Sequence, residues 1–282
     1  MIAMQDLLKE IKKLKPIPAI VHQIIEIIDR PDSSMQDIAK VIKYDPGATA
    51  DLIKISNSAY FGLKEPAESV EDAVSLLGID QIVELVLMKS GASVLSGRFD
   101  GYGFREGAMW KYSVSSALIA KQIASRLSMK NKNTIFTASL LKDIGKTILD
   151  RFVLDSFDEI NELVLNHNLS FIEAEKKIIG ADHAELGGMI AKIWKFSPKM
   201  INIIRNHHIQ SEDMCQDQDI AVVYFADCIC MMLGIGVGAD GLAYRFHQEA
   251  MEELGIGSDE MPEIIIEFSE NMQKVEKLLQ MV

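Results

Sequence analysis

Apolar residues recur at three- and four-residue intervals through most of the chain. Ile24, Ile27 and Ile28 share one helical face, and Leu76, Leu77, Ile79, Ile82, Val83, Val86 and Leu87 carry the same period through a longer segment. Strand-like alternation is nearly absent. In the first third the pattern predicts helices over 3–13, 18–30, 34–43, 46–57, 69–77 and 79–95. Each is too short to be stable alone, so they must pack on one another. Further on, Ser170 with Glu173 and Asp182 with Glu185 have capping-box spacing, and Ser197-Pro198 puts a cap before a proline suited to the first helical position. The expectation is an all-α protein of roughly a dozen short helices.

The pattern breaks at Ser96–Gly107, SGRFDGYGFREG, where four glycines interrupt it. The expected organisation is therefore an N-terminal helical lobe over 1–96, a glycine-rich connection over 97–107, and a larger helical lobe over 108–282. Relative motion of the lobes about that connection would be one way to transmit a signal. The last segment, IIIEFSENMQKVEKLLQMV, reads as an amphipathic helix expected to cover the second lobe, the alternative being that it mediates association. Gly234-Ile-Gly-Val-Gly238 imitates a phosphate loop but lacks the preceding strand and the spacing.

With 282 residues, 48% of them hydrophobic, the chain can bury a sizeable core. A formal charge of −12 argues against binding a nucleic acid backbone, whose affinity comes from Lys and Arg. Three cysteines, Cys215, Cys228 and Cys230, show no paired C-x-x-C spacing and read as reduced core residues. The N-terminus intersperses lysines among apolar residues, unlike a secretory signal, and the longest apolar run carries Asp227 in its middle, unlike a membrane span. A cytoplasmic protein is expected.

Some ionisable groups fall on faces that ought to be buried. Asp227 has Ile220, Val223, Cys230 and Met231 as helical neighbours, so its carboxylate must find donors or a cation or be protonated. His183 shares a face with Gly187, Ile190 and Trp194. His208, with His207 beside it, follows Ile204 and Ile201, and Asp143 edges the stripe of Phe136, Leu140, Ile144 and Ile148. The same wheel puts Lys142 off that stripe, near Lys146, and so in solvent. The alternative turns Lys142 inward, its ammonium near Asp143 and Asp227.

In this order these residues resemble the HD superfamily of metal phosphohydrolases, and more closely its regulatory HDOD family. The likeness runs through LKPIPAIVHQIIEIIDRPDSSMQDIAKVIKYDPGATADLIKISNSAYFG and SVEDAVSLLGIDQIVEL, then MWKYSVSSALIAKQIA, SLLKDIGK, HAELGGMIAKIW, SPKMINIIRNHH and the Asp227 helix. It implies a two-lobed all-helical fold, with Asn57, Tyr60 and Gly62 in a helix end and turn where Gly62 caps the helix. It also implies that Asp143, His183, His207, His208 and Asp227 are counterparts of metal-site residues. Two histidines of that set are missing: WKYSVSS contains none, and Lys142 stands where the His-Asp pair would have its first member. A lysine ammonium has no lone pair to offer a metal.

The expected function is therefore a non-catalytic regulatory module of bacterial signal transduction, with no metal or other cofactor, acting through a signalling protein partner or a small nucleotide-like ligand. The alternatives are a metal-dependent phosphohydrolase of a nucleotide or cyclic dinucleotide, with Asp143, His183, His208 and Asp227 as ligands, and a nucleotide sensor without turnover.

Overall fold

The computed structural model describes residues 4–14, 17–28, 30, 32, 34–58, 61, 63–236, 238–243, 247–257 and 260–279. Among them the chain forms seventeen α-helical segments, more than the expected dozen because several are one or two turns long, and no strand beyond an isolated bridge between Phe99 and Phe104. The first six are α1 (Met4–Lys13), α2 (Ala19–Ile28), α3 (Met35–Lys43), α4 (Pro46–Ser56), α5 (Val70–Leu77) and α6 (Ile79–Leu95). All lie within two residues of their predicted bounds, because local signals fix them. Ser34 and Asp37 close a capping box on α3, Asp45 caps α4 ahead of Pro46, and Ser69 caps α5.

Asn57 ends α4, and its side-chain amide bonds both backbone groups of Ala67, accepting from the N–H at 2.7 Å and donating to the carbonyl at 2.8 Å. It ties the helix end to the following loop. Tyr60 and Gly62, expected in the same turn, lie outside the described residues.

The remaining helices are α7 (Ala108–Arg126), α8 (Lys132–Leu141), α9 (Lys146–Asp155), α10 (Phe157–His167), α11 (Phe171–Ile179), α12 (His183–Ile193), α13 (Pro198–Asn206), α14 (Glu212–Cys215), α15 (Gln218–Met232), α16 (Gln248–Glu253) and α17 (Glu260–Leu279). A 3-10 turn, Ala239–Ala243, follows α15. The capping box on α11 forms as predicted, Asp182 caps α12 and Ser197 caps α13. α7 packs on α8 and α15, and α12 on α13, while α2 and α6 reach across onto α8, so one apolar core runs from Ile24 and Ile82 through Phe136 to Phe225. α17 lies along α7, burying Ile264 and Phe268 and pairing Glu267 with Gln122 and Arg126, which is the covering role expected of it.

The glycine-rich segment 97–107 is a packed turn rather than an open tether. Tyr102 is fully buried, its carbonyl accepts from the Ala239 N–H, and the Gly101 N–H donates to Asp150. A Cβ on Gly101 would fall 2.0 Å from the Asp150 carbonyl oxygen, which is why glycine is needed there. None of the helices in the described residues is long and apolar enough to cross a membrane.

Candidate functional site: a polar centre filled by two lysines

The polar centre lies where α8 gives way to α9. Residues 142–145 are a turn, and it presses against the start of α12: a Cβ on Gly145 would fall 1.9 Å from the His183 carbonyl oxygen. This close approach sets Lys142, Asp143 and Lys146 beside His183. α7 contributes Tyr112, α11 Glu175, the end of α13 His207 and His208, α15 Asp227, and the 3-10 turn Asp240.

Lys142 is completely buried, which corrects the expectation that it faces solvent. Its Nζ bridges Asp143 Oδ2 and Asp227 Oδ1, the latter at 2.6 Å, and stands 4.5 Å from the centre of the Tyr112 ring. The Tyr112 hydroxyl donates to the same Asp227 oxygen at 2.5 Å. The helical wheel set Lys142 off the apolar stripe beside Lys146, but that side is not solvent, because Tyr112 on α7 and Asp227 on α15 cover it. Lys146, also buried, bridges Asp143 Oδ1 at 2.7 Å and Asp240 Oδ2 at 2.5 Å beneath Tyr102 and Phe104. Burial opposes charge on both lysines, but the carboxylates outweigh it and raise both pKa values. Burial likewise disfavours the Asp143 anion, yet Lys142 and Lys146 hold its carboxyl well below the usual carboxylate range.

On the far side of Asp143 lie the imidazoles. His183 Nε2 and His207 Nε2 are each 3.8 Å from Asp143 Oδ1, and His183 Nε2 is 2.9 Å from His208 Nε2. His207 Nδ1 donates to the Ile204 carbonyl at 2.8 Å. Glu175 Oε2 accepts from the His183 N–H and, at 2.8 Å, from His183 Nδ1, while the Tyr102 hydroxyl donates to its other oxygen. Burial lowers His183 to about 4, His207 to about 3 and His208 well below the ordinary value, so all three are neutral at pH 7. Burial lifts Glu175 to about 7. A cavity of about 180 Å³, lined by Phe171, Ile209, Tyr224 and His247 among others, opens onto His183, His208 and Asp240.

Of the residues anticipated from sequence, Lys142, Asp143, His183, His207, His208 and Asp227 thus converge on one centre, whereas the Asn57 side chain is bonded to the Ala67 backbone. Five polar partners were missed, among them Lys146, which the wheel set beside Lys142 off the apolar stripe. Glu175 carried a readable signal, a carboxylate on the face of Phe171, Ile172 and Ile179. Tyr112 stands in the very segment where the missing histidine was sought. Tyr102 and Asp240 lie in glycine-rich irregular segments, where no periodicity marks a buried side chain.

The two-metal arrangement implied by the superfamily likeness does not fit here, because the Lys142 ammonium fills the space between Asp143 and Asp227. The histidine side differs. Asp143 Oδ1 and His207 Nε2 are buried 3.8 Å apart; the carboxylate oxygen is held by Lys146 at 2.7 Å, whereas His207 Nε2 makes no hydrogen bond.

Comparison with known proteins agrees with this architecture. An uncharacterised protein of Treponema pallidum (strain Nichols) is 23% identical over 200 residues, covering 70% of this chain; the chain spans 38% of that relative's length. The fold is shared with a protein proposed to act in signal transduction from Marinobacter aquaeolei VT8, with a TM-score of 0.77, 20% identity and coverage of 99% of this chain and 65% of that one. It is shared too with a proposed phosphohydrolase from Shewanella amazonensis SB2B, with a TM-score of 0.69, 20% identity and coverage of 98% and 97%. Residues 14–210 match the HDOD domain, more than half of the chain, and the protein belongs to the HDOD family.

Proposed function

We propose that this HDOD chain is a non-catalytic regulatory module of bacterial signal transduction, acting by binding a protein partner or a small nucleotide-like ligand. The observation that carries this reading is the Lys142 ammonium between Asp143 and Asp227. Two-metal phosphoester hydrolysis needs both ions and open positions for water and phosphate. Here a fixed side chain takes the place of one ion, and both lysines are engaged by carboxylates rather than offered to a substrate. The signal-transduction role proposed for the Marinobacter relative favours the same reading; the phosphohydrolase role proposed for the Shewanella relative favours the alternative.

The cavity beside His183 and His208 supports the small-ligand form of the proposal, since it joins apolar walls to a few polar groups. The test is phosphate release from nucleotides and cyclic dinucleotides by the purified chain with Mg²⁺, Mn²⁺ or Zn²⁺, compared with Asp143→Ala. The expected result is no release above the variant. Turnover that disappears on Asp143→Ala would overturn the proposal and establish a hydrolase.

A further inference from the structure

We propose that the cleft with α1 and α2 on one side and the end of α12 on the other is a docking groove for an acidic amphipathic helix of a partner protein. The groove lies apart from the polar centre and rests on the protein-partner form of the reading above.

The cleft encloses about 890 Å³. Its floor is apolar. Ile11 on α1, Ile25 on α2, and Trp194 and Phe196 just beyond α12 are buried there, and the His22 ring lies 5.8 Å from that of Phe196. Ile193, the last residue of α12, stands beside them 53% exposed. An isoleucine in water at the mouth of an apolar recess extends the surface that a partner can cover. Among the described lining residues the charges are Lys12, Arg30 and Lys195 against one carboxylate, Glu26, on a chain whose formal charge is −12. All four are exposed, so they edge the cleft while the apolar residues floor it. None of the three cations forms an ion pair with a described residue, although Lys9 and Lys13, on the same helix as Lys12, are paired with Asp6 and Glu10.

The backbone at Lys195 is a second, independent observation. α12 ends in a Schellman motif, in which the Phe196 N–H donates to the Ala191 carbonyl and the Lys195 N–H to the Lys192 carbonyl, both at 3.0 Å. Lys195 therefore takes the left-handed position, with a φ of 57°, where glycine carries no steric penalty. A lysine there gives up stability and gains a cation at the edge of the cleft.

An apolar floor with a cationic edge is complementary to a segment that has apolar residues on one side and carboxylates flanking them. An amphipathic helix offers both, with anchors at i, i+3 or i+4, and i+7. A lone phosphate would gain little from cations that stand in water, whereas a helix adds apolar burial to each charge contact.

The test is selection, on the full chain, of random phage-displayed peptides of about 16 residues, long enough for roughly four helical turns. The strongest binder is then made synthetically and its affinity read by fluorescence anisotropy. The expected result is peptides rich in Asp and Glu with apolar residues at helical spacing, binding one per chain and weakening several-fold between about 50 and 300 mM NaCl. Lys12→Glu with Lys195→Glu should weaken binding about tenfold or more. Lys195→Gly should weaken it about two- to fivefold while the melting temperature holds or rises, so that a folding defect does not account for the loss. No selected peptide, peptides that are basic or without helical spacing, or affinities indifferent to these substitutions would overturn the proposal. So would vesicles of anionic phospholipid that bind through Lys12 and Lys195 where peptides do not. Phosphate release from nucleotides is a separate readout: its absence together with absent peptide binding overturns the groove alone, and turnover together with peptide binding overturns the regulatory reading and leaves the groove.

Discussion

In α1–α5 most charged side chains stay in water. Lys9 pairs with Asp6 and Lys43 with Glu71 across an exposed surface, while the buried faces are isoleucine, leucine and valine. Around Asp143 the arrangement is reversed: two ammonium groups and the carboxylates of Asp143, Asp227 and Asp240 are almost wholly removed from solvent. The contrast separates two kinds of cohesion. Exposed pairs are nearly independent of the fold, because water and salt screen them. Buried ions are tolerated only because each compensates the desolvation of the next, so the group stands or fails together.

The largest expected effect follows from that interdependence. Lys142→Met leaves Asp143 and Asp227 facing each other without their shared cation, and should destabilise the chain by about 3–5 kcal/mol. Denaturant unfolding of the single variant and of Lys142→Met with Asp227→Asn would measure it. The double variant should lose far less than the two singles added together. Additive losses would mean that the buried charges act separately and the contrast between the regions is false.

A second expectation concerns pH, measured with chelator present. His183 and His207 are lowered from 6.5 to about 4 and about 3, so the unfolded chain binds protons there that the folded chain does not. Their contribution is present above pH 6.5 and lost as pH falls through 4 and 3. Glu175, raised from 4.5 to about 7, acts in the opposite sense: its contribution is present below 4.5 and lost as pH rises through 7. Stability should climb from pH 4.5 toward 6.5 and then ease off. Glu175→Gln should steepen the climb and remove the decline. A flat profile across this window would mean that these groups are not buried as described.

What could be read from sequence divides along the same line. Helix bounds in the first third came out within two residues because caps such as Ser34 and Asp45 and the apolar period act locally. Inwardness was legible for His183 and Asp227, which sit on continuous helices with apolar neighbours. Lys142 was misread because the side of α8 away from the apolar stripe is covered by α7 and α15, which carry Tyr112 and its partner Asp227. Asp240 was invisible, because only the packing of the 3-10 turn onto α11 brings it to Lys146. Convergence of side chains is a tertiary property, and no helical wheel contains it.

A smaller effect should come from Asn57, whose amide satisfies both backbone groups of the buried Ala67. Asn57→Ala leaves those groups without their partner and should cost about 1–3 kcal/mol, with the polar centre and its pH profile unaltered. Asn57→Asp sharpens the point, since a carboxylate can still accept from the Ala67 N–H but cannot donate to its carbonyl, and should lose part of that amount.

The smallest effect is expected at Lys43, whose bond to Glu71 is as short, at 2.8 Å, as several in the centre. Distance alone would rank the two kinds of pair together. The Lys43 and Glu71 side chains are 63% and 55% exposed, however, so each keeps most of its hydration and gives up conformational freedom to form the pair. Lys43→Ala should leave the unfolding midpoint unchanged within error at any salt concentration. A loss approaching that of Lys142→Met would show that proximity, not burial, governs the charges of this fold, and the distinction between its two regions would collapse.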